Sequence, residues 1–139
     1  MRRCFKVISA LLIAVMALSL SACGSEADRF VGTWKTAPGT DQSAMGIKSD
    51  NITITFNNDG TYKKTERLSF MSIDSDTVEI GKFEVDKDKG TVTFKPDTDP
   101  DDYLAPNYEF QYYYQITDTY ITLENTNGRF EKMYLQKQT

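Results

Sequence analysis

The chain has 139 residues, 40% hydrophobic and 12% aromatic, with 16 basic against 20 acidic side chains, no histidine and two cysteines. A net charge of -4 excludes the basic footprint of a nucleic-acid binder and electrostatic adhesion to anionic lipid. With no histidine, Gly-x-Ser-x-Gly elbow, phosphate-cradling glycine loop or dinucleotide fingerprint, no catalytic constellation is present, and non-enzymatic binding without a cofactor is expected.

Residues 1–22 open with Met1-Arg2-Arg3-Cys4-Phe5-Lys6 and continue as an apolar run from Val7 to Leu20. A basic start, an apolar run and small residues before a cut are the layout of a secretory signal. The run falls short of the about 20 residues that span a bilayer. It ends Leu20-Ser21-Ala22-Cys23-Gly24, which resembles the lipobox of bacterial lipoproteins. That resemblance implies a diacylglyceryl thioether on Cys23, which becomes the mature N-terminus. Two acyl chains, at about 0.8 kcal/mol per buried methylene, hold a protein stably on membrane lipid, so a lipid-anchored, extracytoplasmic place at the cell membrane or envelope is expected. Cleavage takes away three basic residues and no acidic one, leaving 13 against 20 and a charge of -7. No thiol then remains for a disulfide, and stability must come from the core.

Residues 23–29 read as the lipidated tether, Gly24 to Asp28 being small, polar and without period, and 30–139 as one domain. Its turn signals separate eight short runs rich in Thr, Val, Ile, Tyr and Phe: 30–36, 51–57, 61–70, 78–86, 91–96, 108–116, 119–125 and 130–137. Asn57-Asn58-Asp59-Gly60, Lys87-Asp88-Lys89-Gly90, Thr117-Asp118 and Asn125-Thr126-Asn127-Gly128 are hairpin turns. Consecutive hairpins predict an all-β, eight-stranded antiparallel up-and-down barrel, which removes exposed sheet edges.

Alternation assigns faces. Ile52, Ile54 and Phe56 share one face, as do Tyr62, Lys64, Glu66, Leu68 and Phe70, and Tyr108, Phe110, Tyr112, Tyr114 and Ile116. In the fourth run Val78 and Ile80 precede Phe83 and Val85, a phase slip that predicts a bulge near Gly81. The connection 37–50 has room for a short helix. In 97–102, Asp97, Asp99 and Asp101 have the spacing of calcium ligands, but Asp102 and Tyr108 stand where an EF-hand loop needs glycine and glutamate, so a solvated acidic loop and no metal are expected.

Phe30-Val31-Gly32-Thr33-Trp34-Lys35, "ITITFNNDGTYKKTE" and "YQITDTYITLE" resemble the lipocalin and wider calycin group, in particular the small lipocalin-like domains of bacterial lipoproteins. The resemblance implies that Trp34 closes the base of a barrel beneath a basic residue, for which Arg129, Lys132 and Lys137 compete. It also implies a mouth that admits a ligand. Candidate pocket residues are Trp34, Tyr62, Lys64, Glu66, Phe110, Tyr112 and Tyr114, with a small apolar or amphipathic molecule as ligand. The alternative is a filled barrel that binds another envelope protein through its outer surface, with Tyr113 and the acidic loops as contacts, acting as an inhibitor or assembly factor.

Replacing Cys23 by Ser is expected to release the protein from membranes. Sedimentation of the Cys23→Ser chain with membranes after a carbonate wash would contradict the anchor.

Overall fold

Hairpin after hairpin, every strand but the first pairs antiparallel with a strand next to it in sequence. The computed structural model describes residues 24–40, 42–44, 47–70, 73–97, 109–128 and 132–139, and of 42–44, 47–50, 68–70 and 73 only the backbone. The expected signal 1–22, Cys23, residues 98–102 of the acidic loop, Tyr108 and Arg129 lie outside the described residues.

The described residues form nine strands: β1 (Gly32–Thr36), β2 (Gln42–Ala44), β3 (Ile47–Phe56), β4 (Thr61–Phe70), β5 (Ile73–Asp86), β6 (Thr91–Pro96), β7 (Phe110–Ile116), β8 (Tyr120–Asn125) and β9 (Met133–Lys137). β1 pairs with β3 on one side and with β9 on the other. The ring β1-β3-β4-β5-β6-β7-β8-β9 is therefore a closed, eight-stranded antiparallel meander, as the turn pattern predicts. The hairpins are locally encoded: the Gly60 N–H closes on the Asn57 carbonyl at 3.2 Å and the Gly90 N–H on the Lys87 carbonyl at 3.2 Å.

Three expectations are corrected. The connection 37–50 holds the short strand β2 and the first residues of β3 rather than a helix among its described residues; β2 pairs only with the start of β3, outside the ring. The register of β5 against β4 and β6 runs without a shift through Gly81, and the bulge lies instead in β3, between Ser49 and Asn51. No phase slip exists because Val78 and Ile80 face outward, 63% and 53% exposed, while Phe83 is buried on the inner face. Finally, the segment read as an aperiodic tether contains a 3-10 turn, Glu26–Arg29. Its ends are tied locally, the Ser25 N–H donating to the Asp28 carboxylate at 2.6 Å.

That turn seals one end of the barrel, here called the base. Arg29 donates to the Ile116 carbonyl at 2.7 Å and to Glu26 at 2.7 Å, and the Tyr114 hydroxyl donates to Glu26 at 3.2 Å. Behind it Phe30 packs edge-on against Phe56 at 5.4 Å and Tyr114 at 5.0 Å, and Phe56 meets Phe83 at 4.8 Å. Ile54, Leu123, Leu135 and Val92 continue this core, each fully buried. Such aromatic pairs add about 0.5–1.5 kcal/mol each to the burial of their area. The base carries the hairpin turns at 57–60, 87–90 and 117–119. At the opposite end, the mouth, β1, β6 and β8 finish and β7 and β9 begin.

Gly81 faces inward on β5, opposite Tyr62 on β4 and Pro96 on β6. A Cβ there would collide with the Lys95 carbonyl and come within 2.7 Å of the Pro96 Cα. The missing side chain lets two backbones close the narrow barrel wall. Gly81→Ala is expected to destabilise the domain by about 1–3 kcal/mol, the cost of overpacking against backbone, read as a lower urea midpoint. An unchanged midpoint would contradict the close approach.

Candidate functional site

Closure stacks the inner faces of β3, β4 and β5 in register. One row is Ile54, Lys64 and Glu79; the next toward the base is Phe56, Tyr62 and Gly81; the next toward the mouth is Ile52, Glu66 and Thr77. The inner wall of β4 is thus polar in the middle, where its neighbours on β3 are apolar. Charges so placed stay only if they are paired, and these are. The Lys64 ammonium lies 3.4 Å from the Glu66 carboxylate, both side chains about one-fifth exposed. The Tyr62 hydroxyl donates to Glu79 at 2.7 Å. The Tyr62 ring stands edge-on to Phe94 at 4.8 Å, and Phe94 stands edge-on to Tyr112 at 5.6 Å.

A cavity of about 40 Å³ opens at the mouth among Ile54, Lys64, Glu79, Phe94, Phe110, Tyr112 and Met133. A water needs about 10–15 Å³ of such space, so the cavity holds about three. Drug-sized ligands occupy about 300–1,000 Å³. Outside the barrel a wide furrow of about 510 Å³ follows the β5–β6 turn, but its charged walls and open shape leave it to solvent.

Of the seven pocket residues expected from the sequence, the structure brings Lys64, Phe110 and Tyr112 into the cavity wall, with Tyr62 and Glu66 bonded to wall residues. Trp34 and Tyr114 lie elsewhere. Tyr114 belongs to the sealed base. Trp34 is fully buried, donates its indole N–H to the Phe30 carbonyl at 2.7 Å and has the Lys137 ammonium 5.2 Å above its ring. Lys137 is thus the basic residue on Trp34, while Lys132 pairs with Glu124 at 2.9 Å. Gly32, at φ +129°, lies under the Lys137 side chain, where a Cβ would come within 3.1 Å of Cε. Few L residues adopt that backbone conformation, and a Cβ there would press on the Lys137 side chain.

Sequence reasoning missed the apolar wall residues Ile54, Phe94 and Met133 and the one acidic wall residue, Glu79. Reading Val78 and Ile80 as inward turns it outward. The signal that would have found it is Lys64, whose place on an inner face calls for acidic neighbours.

Burial, and then the hydrogen bond to Glu79, push the Tyr62 phenol well above its usual value. Burial and the Glu79 charge push Tyr112 up to about 12, against a hydrogen bond with Asn125 that works the other way. Both phenols are therefore neutral at ordinary pH, which keeps the cluster free of further negative charge.

The outer wall has its own feature. Tyr113, Tyr120 and Tyr134 are 54%, 49% and 41% exposed. Tyr134 stands directly across from Thr122, Tyr120 lies two residues before Thr122, and Tyr113 stands across from Glu124, two residues after it. All three therefore surround Thr122 on one outer face of β7, β8 and β9, at cross-strand and diagonal spacings of about 5–8 Å. Gln115 and Gln136 fill in between; of the charges around this face, Glu124 and Lys132 pair with each other, and Lys35 on β1 stands across from Gln136.

Together these features define a small antiparallel β-barrel with a sealed base, a tightly packed interior and a narrow polar mouth. The chain belongs to the NlpE N-terminal domain family, which matches residues 36–131, a family of envelope lipoproteins. No curated protein and no solved structure matches it.

The raised phenols fix an alkaline limit. The folded state holds the Tyr112 proton up to about pH 12, while the unfolded chain releases it near its ordinary value of about 10. Between those values the native state binds more protons, so stability is intact below pH 10 and falls as pH rises. Tyr112→Phe is expected to flatten the loss of melting temperature between pH 10 and 12; an equally steep loss would contradict the assignment.

Proposed function

We propose that this protein is a lipid-anchored, extracytoplasmic barrel that binds another envelope protein through the tyrosine-bearing outer face of β7, β8 and β9. The observation that carries this reading is the pairing of a filled interior with that face. An apolar or amphipathic molecule of ordinary size finds room for only about three waters inside the barrel. The outer face instead offers three exposed tyrosines on rigid strands, with little charge among them. Aromatic enrichment and charge depletion mark the cores of protein interfaces, and tyrosine is among the residues that dominate their affinity.

The lipocalin likeness gains support at the base, where Gly32, Trp34 and Lys137 form one packed unit. The family match supports the envelope setting. No step of bond chemistry enters this reading: the protein acts by non-covalent binding.

A photo-crosslinking amino acid at position 120 in intact cells is expected to give one discrete adduct. Changing Tyr113 and Tyr134 to Ser is expected to remove it, since a buried tyrosine anchor contributes about 2 kcal/mol or more, roughly a thirtyfold loss each. Equal adducts from position 82 on β5, or a melting temperature raised by palmitate, would contradict this reading in favour of a ligand-binding barrel.

A further inference from the structure

The mouth of the barrel is too small for an amphipathic molecule, yet it is built like a binding site. Its walls are the rings of Phe94, Phe110 and Tyr112, and one carboxylate, that of Glu79, stands among them. Glu79 accepts a hydrogen bond from Tyr62 on one oxygen. It makes no ion pair among the described residues. Lys64 stands beside it in the register, but the ammonium is taken by Glu66. Lys64, Glu66 and Glu79 therefore leave one net negative charge at a partly buried place. The phenols of Tyr62 and Tyr112 do not add to it, since both are held neutral by burial and by the Glu79 charge itself.

Ring faces carry negative potential and attract cations, and aromatic walls are the recurrent means of recognising organic ammonium groups. The space, about 40 Å³, suits a group of a few heavy atoms in place of about three waters.

We propose that the barrel mouth takes up a small organic cation, an alkylammonium or methylated ammonium group, with Glu79 neutralising its charge and Phe94, Phe110 and Tyr112 enclosing its methyl or methylene groups. Lys64 sets the strength of this site, because its charge repels the guest to the extent that Glu66 fails to screen it. The ammonium group has two sources, a free amine or the headgroup of a lipid. The site is independent of the tyrosine face, and its failure leaves that reading intact.

The test is calorimetry on the full chain in nanodiscs of phosphatidylglycerol, which carry no amine, titrated with choline, methylammonium or sodium chloride at constant ionic strength. The expected result is saturable binding of the two ammonium salts and none of sodium. Glu79→Gln is expected to weaken that binding at least tenfold, and Lys64→Gln to tighten it, an increase that a misfolded variant cannot mimic. Nanodiscs containing phosphatidylethanolamine identify the source. Weakened choline binding in them assigns the headgroup, and unchanged binding assigns the free amine. No saturable heat with either ammonium salt, or binding that survives Glu79→Gln and falls in Lys64→Gln, would overturn the proposal.

Discussion

The structure depends on β1, five residues that hydrogen-bond to β3 along one edge and to β9 along the other. A meander of seven strands has two open edges, each a row of unpaired backbone groups that invites association with other chains. By joining them, β1 turns a twisted sheet into a barrel and forces every inward residue into one shared interior. Trp34 sits at the middle of that strand, opposite Ile54 and Lys137. Its indole fills the space between the two edges, and its N–H is satisfied by the Phe30 carbonyl. Ring closure and core formation are thus one event.

Closure at this size also decides what the inside can do. An eight-stranded barrel is just wide enough for side chains to fill or for one small ligand, and the choice between the two falls to the side chains. Here Phe30, Phe56 and Phe83 occupy the lower interior, and above them the Tyr62 ring stands edge-on to Phe94. What remains at the mouth is narrow, polar and enclosed by rings. Recognition of anything larger moves to the outer wall, where alternation sends Tyr113, Tyr120 and Tyr134. The same period-two pattern that builds the core from Tyr112, Ile121 and Leu135 therefore builds the outer face from their neighbours.

Much of this was legible in the sequence because hairpin turns are local. The glycines of the 57–60 and 87–90 turns, and the alternation of 108–116, fix the number, direction and faces of most strands without any long-range information. The inward charges Lys64 and Glu66 were legible for the same reason. What was not legible depended on contacts between distant segments. Val78 and Ile80 read as core because they are apolar, yet they face outward, and only the unbroken register of β5 shows it. That one misreading hid Glu79. The basic partner of Trp34 was also open among three residues, because it is chosen by the pairing of the first and last strands. The docking of the 3-10 turn on the base escaped notice because its bonds reach 87 and 88 residues along the chain.

The central claim, that β1 closes the ring, is tested most directly by nuclear Overhauser contacts between backbone protons of the folded domain. Lys35 faces Thr53 on one side and Gln136 on the other. A closed barrel gives cross-strand contacts from Lys35 to both, whereas an open sheet, or a pair of separate sheets, gives contacts to one of them alone.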